Sequence, residues 1–157
     1  MGWVDKNIDD NIANWLFNIK IQLPDRSLFQ RDVRPDISVD YDALEEQLAE
    51  IPAVICFWDQ LLAEQRFVIS VLEAKKDAIR AEVASELFKE SGDAGVKMPA
   101  YILKDLVNND ERMIELMGKM IMEVRKENKL RAVVSSLQRK AESLRSLAGF
   151  KREERRG

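Results

Sequence analysis

Residues 52–90, PAVICFWDQLLAEQRFVISVLEAKKDAIRAEVASELFKE, hold no glycine, and their one proline stands first. Val54, Trp58, Leu61, Val68, Leu72 and Ile79 recur in helical steps, and Gln65 and Lys75 complete the same seam. Apolar residues every three to four positions mark an amphipathic helix. Pro52 suits a first helical position, where its missing N–H has no partner to lose. At 1.5 Å per residue such a helix extends about 60 Å, more than a small globular domain requires. Ser91-Gly92-Asp93-Ala94-Gly95 stops it, with glycine where a helix C-terminus favours a left-handed residue.

Working outward, Pro99 opens a short helix through Val107, and Asn108-Asn109-Asp110 interrupts it. A second long helix is expected from about Asp110 to Ala148, ended by Gly149. Its seam begins Met113, Met117, Met120, Val124 and resumes one residue out of phase as Leu130, Val134, Leu137, Ala141, Leu144, Ala148. Two long helices joined by a short loop fold back as an antiparallel hairpin. On the N-terminal side, Ile8, Ile12, Trp15, Leu16 and Ile19 fit an amphipathic helix over 5–20, with Asp5, Asp9 and Asp10 placed to suit its dipole. Residues 22–38, with Pro24 and Pro35, read as a linker, and Ser38 or Asp40 caps a brief helix over 41–50. The expected fold class is all-α: a long, coiled-coil-like antiparallel hairpin with a short N-terminal helix. The expected divisions are 1–35 (helix and linker), 36–148 (hairpin) and 149–157 (charged basic tail).

Composition agrees: 34% of residues are charged, with six Gly and four Pro in the whole chain. The net charge of −3 is unevenly spread. Residues 125–157 hold eleven Lys/Arg against four Asp/Glu, a balance of +7, leaving −10 for the remainder. That asymmetry suggests an acidic body with a basic arm. Ile55, Phe57, Leu62, Phe67, Ile69 and Val71 lie outside the first seam. Either the N-terminal helix and residues 41–50 cover them, or partner subunits do, and the second alternative makes the chain a homo-oligomer.

The chain has no histidine and one cysteine, Cys56. It therefore lacks the commonest general base and the residues of a zinc site. No phosphate-binding glycine motif occurs, because SGDAG ends a helix. The expectation is a non-enzyme without metal or cofactor, cytoplasmic, with neither signal peptide nor membrane span. If a phage encodes it, its compartment is the bacterial host cell.

Lys75, Lys76 and Arg80 cluster on the first long helix, and Lys129, Arg131, Arg139, Lys140, Arg145, Lys151 and Arg152 follow along the second and its tail. One reading is a solvated helix face held by local pairs such as Glu127–Arg131. The other is a positive track for nucleic-acid phosphates, strengthened wherever subunits repeat it. Phe150 is the one stacking candidate beside the C-terminal charges. Trp3 and Trp15 are either buried against the hairpin or form a partner-docking face. Met113, Met117, Met120 and Met122 are either adaptable core or a binding groove.

The order of features resembles the phage recombination-mediator family typified by UvsY. DISVDYDALEEQLAE (36–50) leads into IPAVICFWDQLLAEQ (51–65), and EAKKDAIR (73–80) follows Trp58. KMPAYILKDLVNNDE (97–111) comes after the loop, and SLQRKAESLRSLAGFKREERR (136–156) ends the basic helix. The resemblance spans roughly residues 36–153. It departs at Met98-Pro99, where the family often has a polar capping residue. It implies a ring-forming accessory protein that binds single-stranded DNA. Such a protein helps a RecA-like recombinase replace single-strand-binding protein. By the same resemblance Lys75, Lys76 and above all Arg80 contact DNA. Leu137, Leu144 and Leu147 serve assembly, with Trp58 and Leu61 as further candidates. Arg139, Lys140 and Arg145 fall either on the DNA track or at a subunit interface. A non-enzymatic coiled-coil scaffold, adaptor or assembly chaperone that binds proteins alone is the alternative.

Overall fold

The computed structural model describes residues 15–23 and 25–156. In order these form strands β1 (Asn18–Gln22) and β2 (Leu28–Asp32), a short helix α1 (Arg34–Ile37), and helices α2 (Leu44–Asp93), α3 (Ala100–Asn108) and α4 (Glu111–Glu154). The chain divides into two compact units: residues 1–63 with 126–157, and residues 64–125. In each unit a stretch of α2 packs antiparallel to a stretch of α4.

The first unit carries a sheet that the helical reading of 5–20 and the linker reading of 22–38 both missed. β1 and β2 pair antiparallel, with Asn18 opposite Asp32 and Gln22 opposite Leu28. Ile19 and Ile21 are buried while Lys20 and Gln22 are exposed, the period-two alternation of a half-covered strand. Ile19 fits a helical row with Ile12 and Trp15 equally well, so local periodicity alone gave the wrong element. Residues 15–17 are helical, and the rest of that expected helix, residues 5–14, lies outside the described residues. In the connecting turn Asp25 accepts from the Ser27 amide (2.9 Å) and hydroxyl (2.5 Å), and Arg26 takes a positive φ of 67°. The fold is therefore mostly helical rather than all-α.

The sheet and α1 lie on a core built from both long helices. Ile19, Ile21 and Val33 pack with Leu44, Ile51, Trp58, Leu61 and Leu62 of α2 and with Leu130, Val134, Leu137, Ala141 and Leu144 of α4. Trp58 is fully buried, edge-on to Phe29 and Phe57 at 6.0 and 5.6 Å, and its indole N–H donates to Asp36 Oδ2 at 3.0 Å. The seam Leu130, Val134, Leu137, Ala141, Leu144, Ala148 is buried throughout, as its spacing predicts. Two boundaries differ from expectation. The helix over 41–50 and the helix expected to start at Pro52 are one element, with Pro52 inside it. α4 continues through Gly149 to Glu154, so residues 149–154 are helix rather than a separate tail.

In the second unit, Val83 of α2, Val107 of α3 and Met113 of α4 form the core, with Ile79, Ala84, Leu87 and Leu103 against them. The Gln65 amide donates to the Glu123 carbonyl at 3.1 Å and carboxylate at 2.6 Å, so its expected place in the seam holds. Arg112 joins Glu86 at 2.6 Å and Asp110 at 3.0 Å across the start of α4. The seam departs from expectation elsewhere: Ile69 is buried while Val68 and Lys75 are exposed, and Leu116 is buried in place of Met117. Of the methionine row only Met113 is fully buried, and Met117 and Met122 are about half exposed at 45% and 54%.

Candidate nucleic-acid interface

α2 sets Lys75, Lys76 and Arg80 within two turns of the second unit. Lys75 and Arg80 are exposed and Lys76 is half-buried. The Arg80 guanidinium lies 4.0 Å from Asp77, one turn back, at the outer limit of an ion pair between two open side chains. Such exposed pairs contribute little and leave the cation available to a better anion.

α3 supplies what sequence reasoning overlooked. Leu103 and Val107, four residues apart, face the core of this unit and fix the rotation of the helix. That rotation presents the adjoining row, Ala100, Lys104 and Asn108, to α2. Between the helices lies an open groove of about 540 Å³ lined by Arg80, Ala84, Ala100, Leu103, Lys104, Val107 and Asn108. Its floor is apolar, and a guanidinium, an ammonium and a carboxamide stand on its walls. This combination can hold a phosphate on its cations and the flat face of a sugar or base on its floor. Lys104 and Asn108 were legible only as the polar edge of a short amphipathic helix, and nothing local tied them to Arg80.

The C-terminal cations belong to the first unit. Arg139, Arg145 and Arg152 are exposed on α4 and Lys151 is partly so. Arg131 pairs with Glu127 at 2.5 Å, as the i,i+4 spacing predicts. Lys140 does not belong to an open track. It is 8% exposed and donates to the Asp36 carbonyl at 2.8 Å. A cavity of about 350 Å³ beside it is lined by Asp36, Asp40, Gln47 and Glu50 among others. Burial pushes the Lys140 ammonium below its ordinary range, opposed by the charges of Asp36 and Glu50. Its role is to hold α1 against α4.

The expected assembly residues are likewise placed inside the chain's own fold. Trp58, Leu61, Leu137 and Leu144 are buried in the core of the first unit, and Leu147 packs on it. The first four present no free surface to another subunit, and Leu147 is partly buried. Trp15 is 51% exposed; the Lys129 ammonium sits 4.4 Å from its ring centroid and donates to its carbonyl at 2.9 Å. Trp3 lies outside the described residues.

Among the described residues no helix is long and apolar enough to cross a membrane. Fold and groove thus define a mostly helical chain of long paired helices with a small cationic groove. No protein-family model, curated protein or solved structure matches it.

Proposed function

We propose that the protein is a non-enzymatic, self-associating binder of single-stranded DNA that acts as a recombination mediator. In this role it helps a RecA-like recombinase take over strands covered by single-strand-binding protein. The observation that carries the reading is the groove in which Arg80 and Lys104 flank an apolar floor. Lys75 and Lys76 extend the positive charge along the same helix. Two cations per groove give weak binding by one subunit, and repetition in an assembly multiplies it. The order of sequence features shared with the recombination-mediator family supports the same reading.

Anisotropy of a labelled strand of about 40 nucleotides, titrated at low and high salt, tests it, because phosphate-driven binding weakens steeply as salt releases counterions. Lys76→Glu with Arg80→Glu is expected to abolish binding while leaving the far-UV circular dichroism and particle mass unchanged. Normal binding by that double variant removes the groove from the reading, and no binding by wild type even at low salt overturns it.

A protein-only scaffold is the second reading. Phe67, Val71, Phe88, Tyr101, Ile114 and Ile121, all in the second unit, are exposed. A contact with protein would cover exposed apolar residues of this kind.

A further inference from the structure

The groove between α2 and α3 is shaped as well as charged. Arg80 and Ala84 border it from α2, and Ala100, Lys104 and Asn108 border it from α3, at steps of four along each helix. Four residues rise about 6 Å along a helix and share one face. Each wall therefore sets an alanine one turn from a long cation, and the space is what the alanines leave open. None of the lining residues is acidic. The cavity beside Lys140, by contrast, is bordered by Asp36, Asp40 and Glu50.

Two polar groups on the α3 wall are left over from the chain's own bonding. Among the described residues, neither the Lys104 ammonium nor the Asn108 carboxamide makes a hydrogen bond or ion pair within the chain, and both residues are exposed. Asn108 does not cap its helix either, because the closing bonds of α3 run from the Asn109 N–H to the Asp105 and Val107 carbonyls. Its carboxamide thus brings a donor and an acceptor side by side to an apolar floor, one turn beyond an ammonium. A phosphate takes the cations but offers nothing to the carboxamide oxygen or to the floor. A nucleobase offers both: a flat face, and an edge on which a donor adjoins an acceptor.

We infer that the groove takes one unstacked nucleotide of a bound strand. Arg80 and Lys104 share its phosphate, the floor takes the flat face of its base, and Asn108 pairs with the base edge. At about 540 Å³ the space falls within the range of about 300–1,000 Å³ for small-molecule sites, enough for a single nucleotide. The contact requires a base without choosing which, so binding is indifferent to sequence yet is not a matter of phosphates alone. It also selects single strands, since a base in a duplex enters such a groove only by leaving its stack and its partner. This inference rests on the single-strand reading above and adds to it the part of the strand that is recognised.

The test is an anisotropy titration at one low salt concentration with two labelled strands of equal length and phosphate charge. One is oligothymidine, and in the other abasic tetrahydrofuran units replace the nucleosides. Wild type is expected to bind the base-bearing strand about tenfold or more tightly. Ala100→Leu fills the groove without altering a charge, at a residue that is exposed. It is expected to bring the two strands to one affinity, with helix content and particle mass unchanged. Asn108→Ala keeps the space and is expected to weaken the base-bearing strand about fivefold, leaving the abasic strand as it was. Equal affinity of wild type for both strands overturns the inference and leaves a phosphate-binding mediator standing. An Ala100→Leu or Asn108→Ala chain that behaves as wild type also overturns it. So does polyglutamate that displaces oligothymidine as readily as an unlabelled strand of equal charge. If wild type binds neither strand, the single-strand reading falls together with the inference.

Discussion

Trp58 shows at the residue scale how one side chain fixes several elements. Its ring fills the centre of the first unit and its N–H reaches Asp36 on α1, whose other carboxylate oxygen takes Arg31 of β2 at 2.6 Å. Trp58→Phe keeps the packing and strands Asp36, which should lower stability by about 1–2 kcal/mol. Trp58→Ala leaves a cavity as well and should lower it by about 3–5 kcal/mol, both read from denaturant midpoints. Asp32 gives a pH signature. The Arg34 fork, at 2.5–3.1 Å, holds its carboxyl below the ordinary value of 3.8. As pH falls, the unfolded chain therefore takes up this proton before the folded one. The contribution is fully present above 3.8 and is lost below it, as pH falls through the lower folded value. Asp32→Asn should reduce stability at neutral pH and flatten the acid side of Tm plotted against pH. A variant whose acid limb matches wild type would show that the fork contributes nothing. None of these partnerships follows from sequence spacing alone except Asp32–Arg34, which are neighbours along the chain.

Elements were legible where one periodicity ran long and unopposed. The buried row from Leu130 to Ala148 matches its prediction residue for residue, because six positions in step leave one consistent phase. Residues 18–22 were not legible, because Ile19 and Ile21 satisfy a strand while Ile19 also completes a helical row. Pro52 and Gly149 mislead in another way. Each is a helix breaker by propensity, yet the helix runs through: Pro52 lies between the buried Ile51 and Trp58, and Gly149 follows the buried Ala148. Gly149→Ala meets no atom within 4 Å and should stabilise α4 by about 0.5–1 kcal/mol. If α4 instead ended at Gly149, the substitution would leave Tm unchanged or lower it.

For the whole molecule, composition located the charge without saying how it is used. The basic C-terminal segment suggested a continuous track, but Lys140 is turned inward and Arg131 is paired along its own helix. The candidate groove instead draws Arg80 and Lys104 together from positions 24 residues apart. If the groove carries DNA binding, Lys104→Glu should weaken it as far as Arg80→Glu does. Arg139→Glu should reduce it less, through net charge alone. Anisotropy titrations at one fixed salt concentration compare them. Equal losses at all three positions would point to a diffuse electrostatic surface and away from a groove.

The sequence by itself determined the helical class, the two long helices with their loop, and the inward row of α4. Those properties follow from local periodicity, and a long run of one period admits a single solution. Tertiary structure alone decided that residues 18–22 extend into a strand and that Lys140 is buried beneath α1. It also decided that the supposed assembly residues are core and that α3 completes a groove with Arg80. Each of these depends on which face meets which neighbour. That is settled by burying the largest apolar surface over the whole chain, a quantity that no single window of sequence contains.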